Sequence, residues 1–258
     1  MNEFMLNDME AFSGYIPAFL FILLRVSIFI NLFPVIGAKQ LPVQFRIGLA
    51  VFIAMLLTPV VNFEIAENNI PIMIVREIFM GLALGLTVRF LFLAVNMAGT
   101  FISHTMGMSI ATAFNPDIGQ STQISEAYGI MAMLFFLVMD AHHDLIFVIV
   151  KSFELLPAGQ LNIKPMILQV LSLCNTLFVL GLKIGAPVMV GILVTYLLSG
   201  FLYKAAPQMN IFFVIMPLNI FLGFLLIILS IPVFEYVLNI EFGNIRKEMM
   251  RLIIMAKG

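Results

Sequence analysis

The sequence predicts an all-α protein of the integral-membrane type, built from helical hairpins whose helices are kinked or broken. Three observations carry this. The composition is 62% hydrophobic and 10% charged, with a mean hydropathy of +1.11, whereas soluble domains are about 45–50% apolar and about 25% charged. Apolar runs of spanning length alternate with short polar connectors. Prolines, glycines and single charges puncture those runs, and a broken helix or a buried charge is stable only where protein or a water-filled cavity receives it.

Composition also excludes functions. A net charge of −1 gives no reason to expect nucleic acid or an acidic substrate. Cys174 has no second cysteine to pair with, and neither CxxC nor Cys/His metal spacing occurs, so no metal or other cofactor is expected. Trp is absent and Tyr numbers 5, which leaves any interfacial belt to the tyrosines and Lys/Arg. The chain reads as one membrane domain over 1–258. It has an N-terminal segment (1–14), helical hairpins ending in a loop (15–123), further hairpins (124–242) and a basic amphipathic tail (243–258).

The opening MNEFMLNDMEAF is acidic and lacks the basic start of a secretory signal, so the first apolar segment is expected to stay in the mature protein. That segment, Tyr15 to Ala38, suits a span of about 20 residues. Arg25 near its middle costs a few kcal/mol unless it faces protein or water, and reads as a salt-bridged or snorkelling arginine inside a bundle. Pro34, Gly37 and Pro42 break the run, and Lys39 and Arg46 follow. The next segment, Ile47 to Phe63, is 17 residues long, marginal for spanning. A polar link through Glu64, Glu67 and Pro71 leads on.

The third segment, Ile72 to about Met108, is too long for one simple span and contains Arg76, Glu77 and Arg89. Gly81 and Gly85 have the small-xxx-small spacing that lets helices approach closely. Arg76 and Glu77 point to different helix faces, so each needs its own partner. The helix is expected to start near Met73 and to weaken at Met106-Gly107-Met108, because Gly lowers helix stability by about 1 kcal/mol. It then gives way to a loop with Asn115-Pro116-Asp117 and Gly119, where Pro116 pushes Asn115 towards an extended conformation. This stretch, Asn96 to Gln123, is the best candidate for the working part. The plainer alternative is a packed Met- and Ala-rich helix followed by a surface loop.

Ile124 to Val150 resumes the apolar pattern with Asp140, His142, His143 and Asp144 embedded in it. On one helix Asp140 and Asp144 share a face with His143, an arrangement able to bind metal or relay protons. HExxH is absent, and a structural cluster at the water interface is the preferred reading. After the connector Lys151 to Pro165, Met166 to Leu202 forms two apolar halves around Lys183 and Pro187. Pro187 removes a helix donor, leaving either a hairpin with Lys183 near its tip or one long kinked helix. Tyr203 to Gln208 is a connector, and Met209 to Phe234 is apolar with Pro217 and Pro232 inside it. Arg246, Lys247, Arg251 and Lys257 outnumber Glu248 in the tail, which favours a cytoplasmic C-terminus.

Several runs resemble the FliR family of flagellar export-gate proteins, whose relatives in virulence injectisomes are the SctT (SpaR/YscT) proteins. They are Arg25 with Phe33-Pro34, Pro42-x-x-x-Arg46, and REIFMGLALG from Arg76 to Gly85. Further on come Ala98-Gly99, Met106-Gly107-Met108-Ser109-Ile110-Ala111, Asn115-Pro116, and APQMNIFF from Ala206 to Phe213. Order and spacing agree over nearly the whole chain. Each piece alone is weak, and the ordered set is strong.

The resemblance implies a FliP-like part fused to a FliQ-like part, assembled with FliP and FliQ in a helical gate. FlhB would associate with that gate and FlhA would lie nearby. It implies a place in the bacterial inner membrane at the flagellar basal body, with unfolded flagellar proteins as export substrates. Membrane lipid is also a partner, although the family's gate is lifted largely out of the bilayer plane. It further implies that the loop matching Met106 to Asp117 plugs the pore, with Met106, Gly107, Met108, Ile110 and Phe114 as the gasket. Arg25, Arg46, Arg76, Glu77, Gly81, Gly85, Lys183 and Pro207 are then assigned to helix packing and subunit interfaces. Thr100 and Thr105 stand where many members have Glu and Gln. Some members carry aromatics at the positions of Ile110 and Ala113, whereas here the aromatic is Phe114. The closer match of the MGMSIATAFNP and APQMNIFF runs points to flagellar service.

Two other classes compete. A small-solute secondary transporter would use broken helices around Met106 and Lys183–Pro187, but no similar sequences flank the two breaks. An intramembrane enzyme would need a nucleophile and base or a metal set, and only the Asp140/His143/Asp144 cluster offers one. Neither GxxxxGK[ST] nor GxSxG occurs, so the chain is expected not to be an enzyme.

Overall fold

Helix α1 (Asn2–Leu32) and helix α3 (Ile70–Thr105) meet along a seam of small residues. A side-chain carbon on Gly81 would lie 3.0 Å from the Arg25 carbonyl oxygen, and one on Gly85 would lie 2.7 Å from Leu32. The two helices approach as closely as they do because both positions lack a side chain. The computed structural model describes residues 2–34, 42–61, 70–108, 122–156, 161–205, 208 and 211–257. The remaining helices are α2 (Val43–Leu57), α4 (Gln123–Val138), α5 (Ala141–Leu155), α6 (Ile163–Ala205) and α7 (Ile211–Lys257). Among the described residues there is no strand.

Among the described residues, four helical segments are long and apolar enough to cross a membrane: Tyr15–Leu32, Ile70–Thr105, Ile163–Leu202 and Phe213–Lys257. The broken pair α4 and α5 makes a fifth if counted as one span. Three of these helices outrun a bilayer. At 1.5 Å per residue, α3 is roughly 54 Å long, α6 roughly 65 Å and α7 roughly 70 Å, against a hydrocarbon core of about 30 Å. Parts of each therefore lie outside lipid hydrocarbon.

The chain forms two compact units. Unit 1 holds residues 1–90, 140–174 and 244–258. Its core includes Ile22, Val26, Met73, Leu84, Val148 and Leu252, all fully buried. Unit 2 holds residues 91–139 and 175–243. Three aromatic rings centre its core: Phe92 and Phe136 at 5.7 Å, Phe92 and Phe242 at 5.8 Å, and Phe136 and Phe242 at 5.3 Å.

Several sequence expectations are corrected. Pro187 lies inside α6 without ending it, so the hairpin reading fails and Lys183 sits in mid-helix. An interior proline costs about 3 kcal/mol, and the burial of Ile184, Val188 and Ile192 on both sides of it offsets that loss. The run from Ile124 to Val150 is two helices. Asp140 takes a left-handed conformation with φ 54°, which Asp tolerates better than most residues, and the helix cannot run through it. From Ile211 onward the apolar run and the basic tail share one helix, with Pro217 and Pro232 inside. Helix α3 begins at Ile70, three positions before the expected start.

Candidate functional site

Helix α3 ends in a tightly specified cap. Met108 N–H donates to Ser103 O at 3.1 Å and Gly107 N–H to His104 O at 3.1 Å. This is the paired bonding of a Schellman motif, whose residue after the cap must be left-handed. Gly107 has φ 81° and, lacking Cβ, adopts it without strain. The expected weakening at Met106–Met108 is therefore a sharp stop, set by one residue.

Packing holds that stop in place within unit 2. Met106 is fully buried and its side chain fills the space over Gly223, where a Cβ would come within 2.5 Å of it. Tyr196 Oη donates to Thr105 O at 2.9 Å, pairing a carbonyl of the last turn. Sequence reasoning missed Tyr196 and Gly223, because nothing local marks an apolar-run tyrosine or glycine as the neighbour of a distant helix end. Replacing Gly223 with Ala forces Met106 aside and is expected to lower stability by about 1–3 kcal/mol. In a double-mutant cycle with Met106→Ala, that loss should shrink. Additive effects would mean the two residues are uncoupled.

The far end of the following loop is also fixed. Thr122 caps α4, its hydroxyl accepting from Ser125 N–H at 3.2 Å. Ser125 Oγ donates to the Asn96 carbonyl of α3 at 2.9 Å, roughly 15 Å along that helix from Met106. Residues 109–121, with Ile110 and Phe114, lie outside the described residues, as does Pro207. Met108 is half-buried at the loop's start.

Unit 1 carries the second polar feature. Arg25 Nε and Nη2 donate to the two carboxylate oxygens of Glu77 at 2.6 and 2.8 Å. Its Nη1 donates to Ser152 Oγ at 2.9 Å and Nη2 also reaches Leu156 O at 3.4 Å. The guanidinium lies 4.0 Å from the Phe153 ring centroid. Arg25 and Glu77 are each 1% exposed. Such bidentate pairing satisfies both charges geometrically, and it joins α1, α3 and α5.

Of the remaining predicted residues, Arg46 donates through Nη1 to Asn31 Oδ1 at 3.1 Å, while its Nε is buried without a partner among the described residues. Arg76 is half-buried and Lys183 exposed. Thus Arg25, Glu77, Gly81 and Gly85 come together on one seam, and Met106 packs elsewhere, in unit 2. Of the supposed Asp140/His143/Asp144 face, Asp140 and His143 do approach, Oδ1 to Nδ1 at 3.7 Å, but not along one continuous helix. Asp140 precedes α5 in a left-handed turn, and Asp144 faces Arg246 at 3.4 Å.

Comparison with known proteins adds the family. The family model described as bacterial export proteins, family 1, matches residues 16–245. The flagellar biosynthetic protein FliR of Bacillus subtilis (strain 168) is 30% identical over 257 residues, covering 96% of this chain and 99% of that one. The FliR proteins of Escherichia coli (strain K12) and Caulobacter vibrioides are also similar. The first is 29% identical, with 86% of this chain and 87% of its own length covered. The second is 30% identical, with 86% and 90% covered.

Proposed function

The chain belongs to the bacterial export proteins of family 1, the family of the FliR proteins, and from that premise we propose that it forms part of a protein-export channel and the plug that closes it. It is a membrane component of the flagellar export apparatus, and its family is non-enzymatic. The finer reading places it in the inner membrane at the basal body, passing unfolded flagellar proteins. Energy for that passage comes from elsewhere.

The observation that carries the plug is the loop's mounting. A helix stopped by a left-handed glycine with Met106 buried beneath it, and Thr122 capping the next helix, fix the chain on either side of residues 109–121. Met106 holds the base and Gly107 turns the chain. Met108, Ile110 and Phe114 supply the apolar surface of the seal. Methionine is unbranched and fits irregular gaps, and an apolar constriction blocks ions by dewetting.

FliP and FliQ are the proposed neighbours in the gate, with FlhB bound to it and FlhA nearby. Large apolar side chains on α6 and α7, among them Phe201, Phe213 and Phe221, are at least two-thirds exposed, on helices too long for lipid alone to cover. Partner subunits would cover them.

Shortening the loop 106–117, or replacing Met108 and Phe114 with Gly, is expected to raise ion conductance of membranes holding the assembled complex several-fold. Conductance that stays at background would remove the plug assignment. Co-purification from a detergent extract with mass determination tests the partners separately. A monodisperse lone copy would count against them.

A further inference from the structure

The first turn of α5 carries a cluster that the export reading does not use. Two of the chain's 3 histidines, His142 and His143, follow Asp140 directly after the helix break. One ligand atom from each of these three side chains lies within 4.8 Å of the other two. His143 Nδ1 is 3.7 Å from Asp140 Oδ1, and the imidazole rings are 4.2 Å apart, tilted by 36°. The turn itself gathers them, since the Asp140 carbonyl accepts from His143 N–H at 3.0 Å.

A second observation points to a ligand. His142 Nδ1 is shut off from solvent and has no hydrogen-bond partner among the described residues. A buried ring nitrogen left unpaired is destabilising, and coordination of a cation by the His142 imidazole would relieve it. We infer that Asp140, His142 and His143 form a binding site for one divalent transition-metal ion of the Zn2+ class, with water completing the coordination.

The donor set selects the ion. Two imidazoles and one carboxylate suit Zn2+, Cu2+ or Ni2+ better than Mg2+ or Ca2+, which take oxygen ligands. Zinc bonds of about 2.0–2.2 Å in tetrahedral geometry separate ligand atoms by roughly 3.3–3.6 Å. The 3.7 Å between Asp140 and His143 needs only small side-chain rotation. The helix N-terminus repels a cation, and the carboxylates of Asp140 and Asp144 offset that repulsion, although Arg246 engages Asp144 at 3.4 Å. Asp140 and His143 are exposed, with 71% of each side chain accessible. The site therefore lies at the surface of this chain.

The test is a Co2+ titration of the untagged full chain in detergent, followed by ligand-field absorption, with Zn2+ added as competitor. One saturable site is expected, displaced by Zn2+ and weakened about ten-fold or more in His142→Ala and His143→Ala. His104→Ala should bind as the unaltered chain does. Asp140→Asn keeps a residue tolerant of the left-handed turn while removing the charge, so weaker Co2+ binding there, with an unchanged far-ultraviolet spectrum, separates ligand loss from misfolding. Zn2+ should also raise the thermal midpoint of the unaltered chain and leave that of the His142→Ala/His143→Ala double variant unmoved. Absence of a saturable band, or a band that survives the double variant, would overturn the site.

Discussion

Glu77→Ala lowers the unfolding free energy by about 3–5 kcal/mol, one of the two largest effects expected of a single substitution here. The guanidinium of Arg25 stays buried in unit 1 and, among the described residues, keeps Ser152 Oγ, the Leu156 carbonyl and the Phe153 ring as polar and ring contacts. None of these carries a compensating charge. A domain stable by about 5–15 kcal/mol has little margin for such a loss. The double variant Arg25→Met/Glu77→Leu should recover most of it, because removing both charges removes the unpaired one. Unfolding of the chain in detergent, followed by circular dichroism against denaturant, checks this. Single and double variants of equal stability would mean that the pair is solvated.

Phe136→Ala is expected to cost a similar amount, about 3–5 kcal/mol, in unit 2. Its ring is fully buried and packs edge-on against both Phe92 and Phe242. Truncation therefore loses apolar burial, two ring contacts and the volume they enclosed. Phe92 stands on the half of α3 that ends at the Met106 base, so the cavity should also loosen the mounting of the loop. Limited proteolysis between residues 106 and 122 should become faster in the variant. Phe224→Ala, at a position 47% exposed in the same unit, should change stability by no more than about 0.5 kcal/mol. Equal losses at the two positions would mean that the aromatic cluster is not a core.

Legibility of the fold varied with how local the deciding chemistry is. The weakening around Met106–Met108 was visible because glycine lowers helix stability; that Gly107 turns it into a sharp left-handed stop was not. Arg25 was visible as a residue needing a partner, since a charge inside an apolar run is costly wherever the run folds. Its partner was not, because Glu77 lies 52 residues away and Ser152 lies 127 away. The same limit applied to Pro187, whose local penalty is real but is outweighed by buried neighbours on both sides. At Asp140 the error ran the other way. Apolar periodicity on both flanks hid a backbone break that a single left-handed residue creates.

The amino-acid sequence alone determined that this is an all-helical membrane protein, the region where its third helix weakens, and which residues cannot face lipid unaided. These follow from hydrophobicity, glycine's conformational freedom and the cost of desolvating charge, all properties of short stretches. Only the tertiary structure decided which helix receives Arg25, that α6 and α7 run through their prolines, and that Met106 packs against Gly223. Those outcomes depend on burial between residues far apart in the chain, where packing energy summed over many contacts overrides the preference of any one residue.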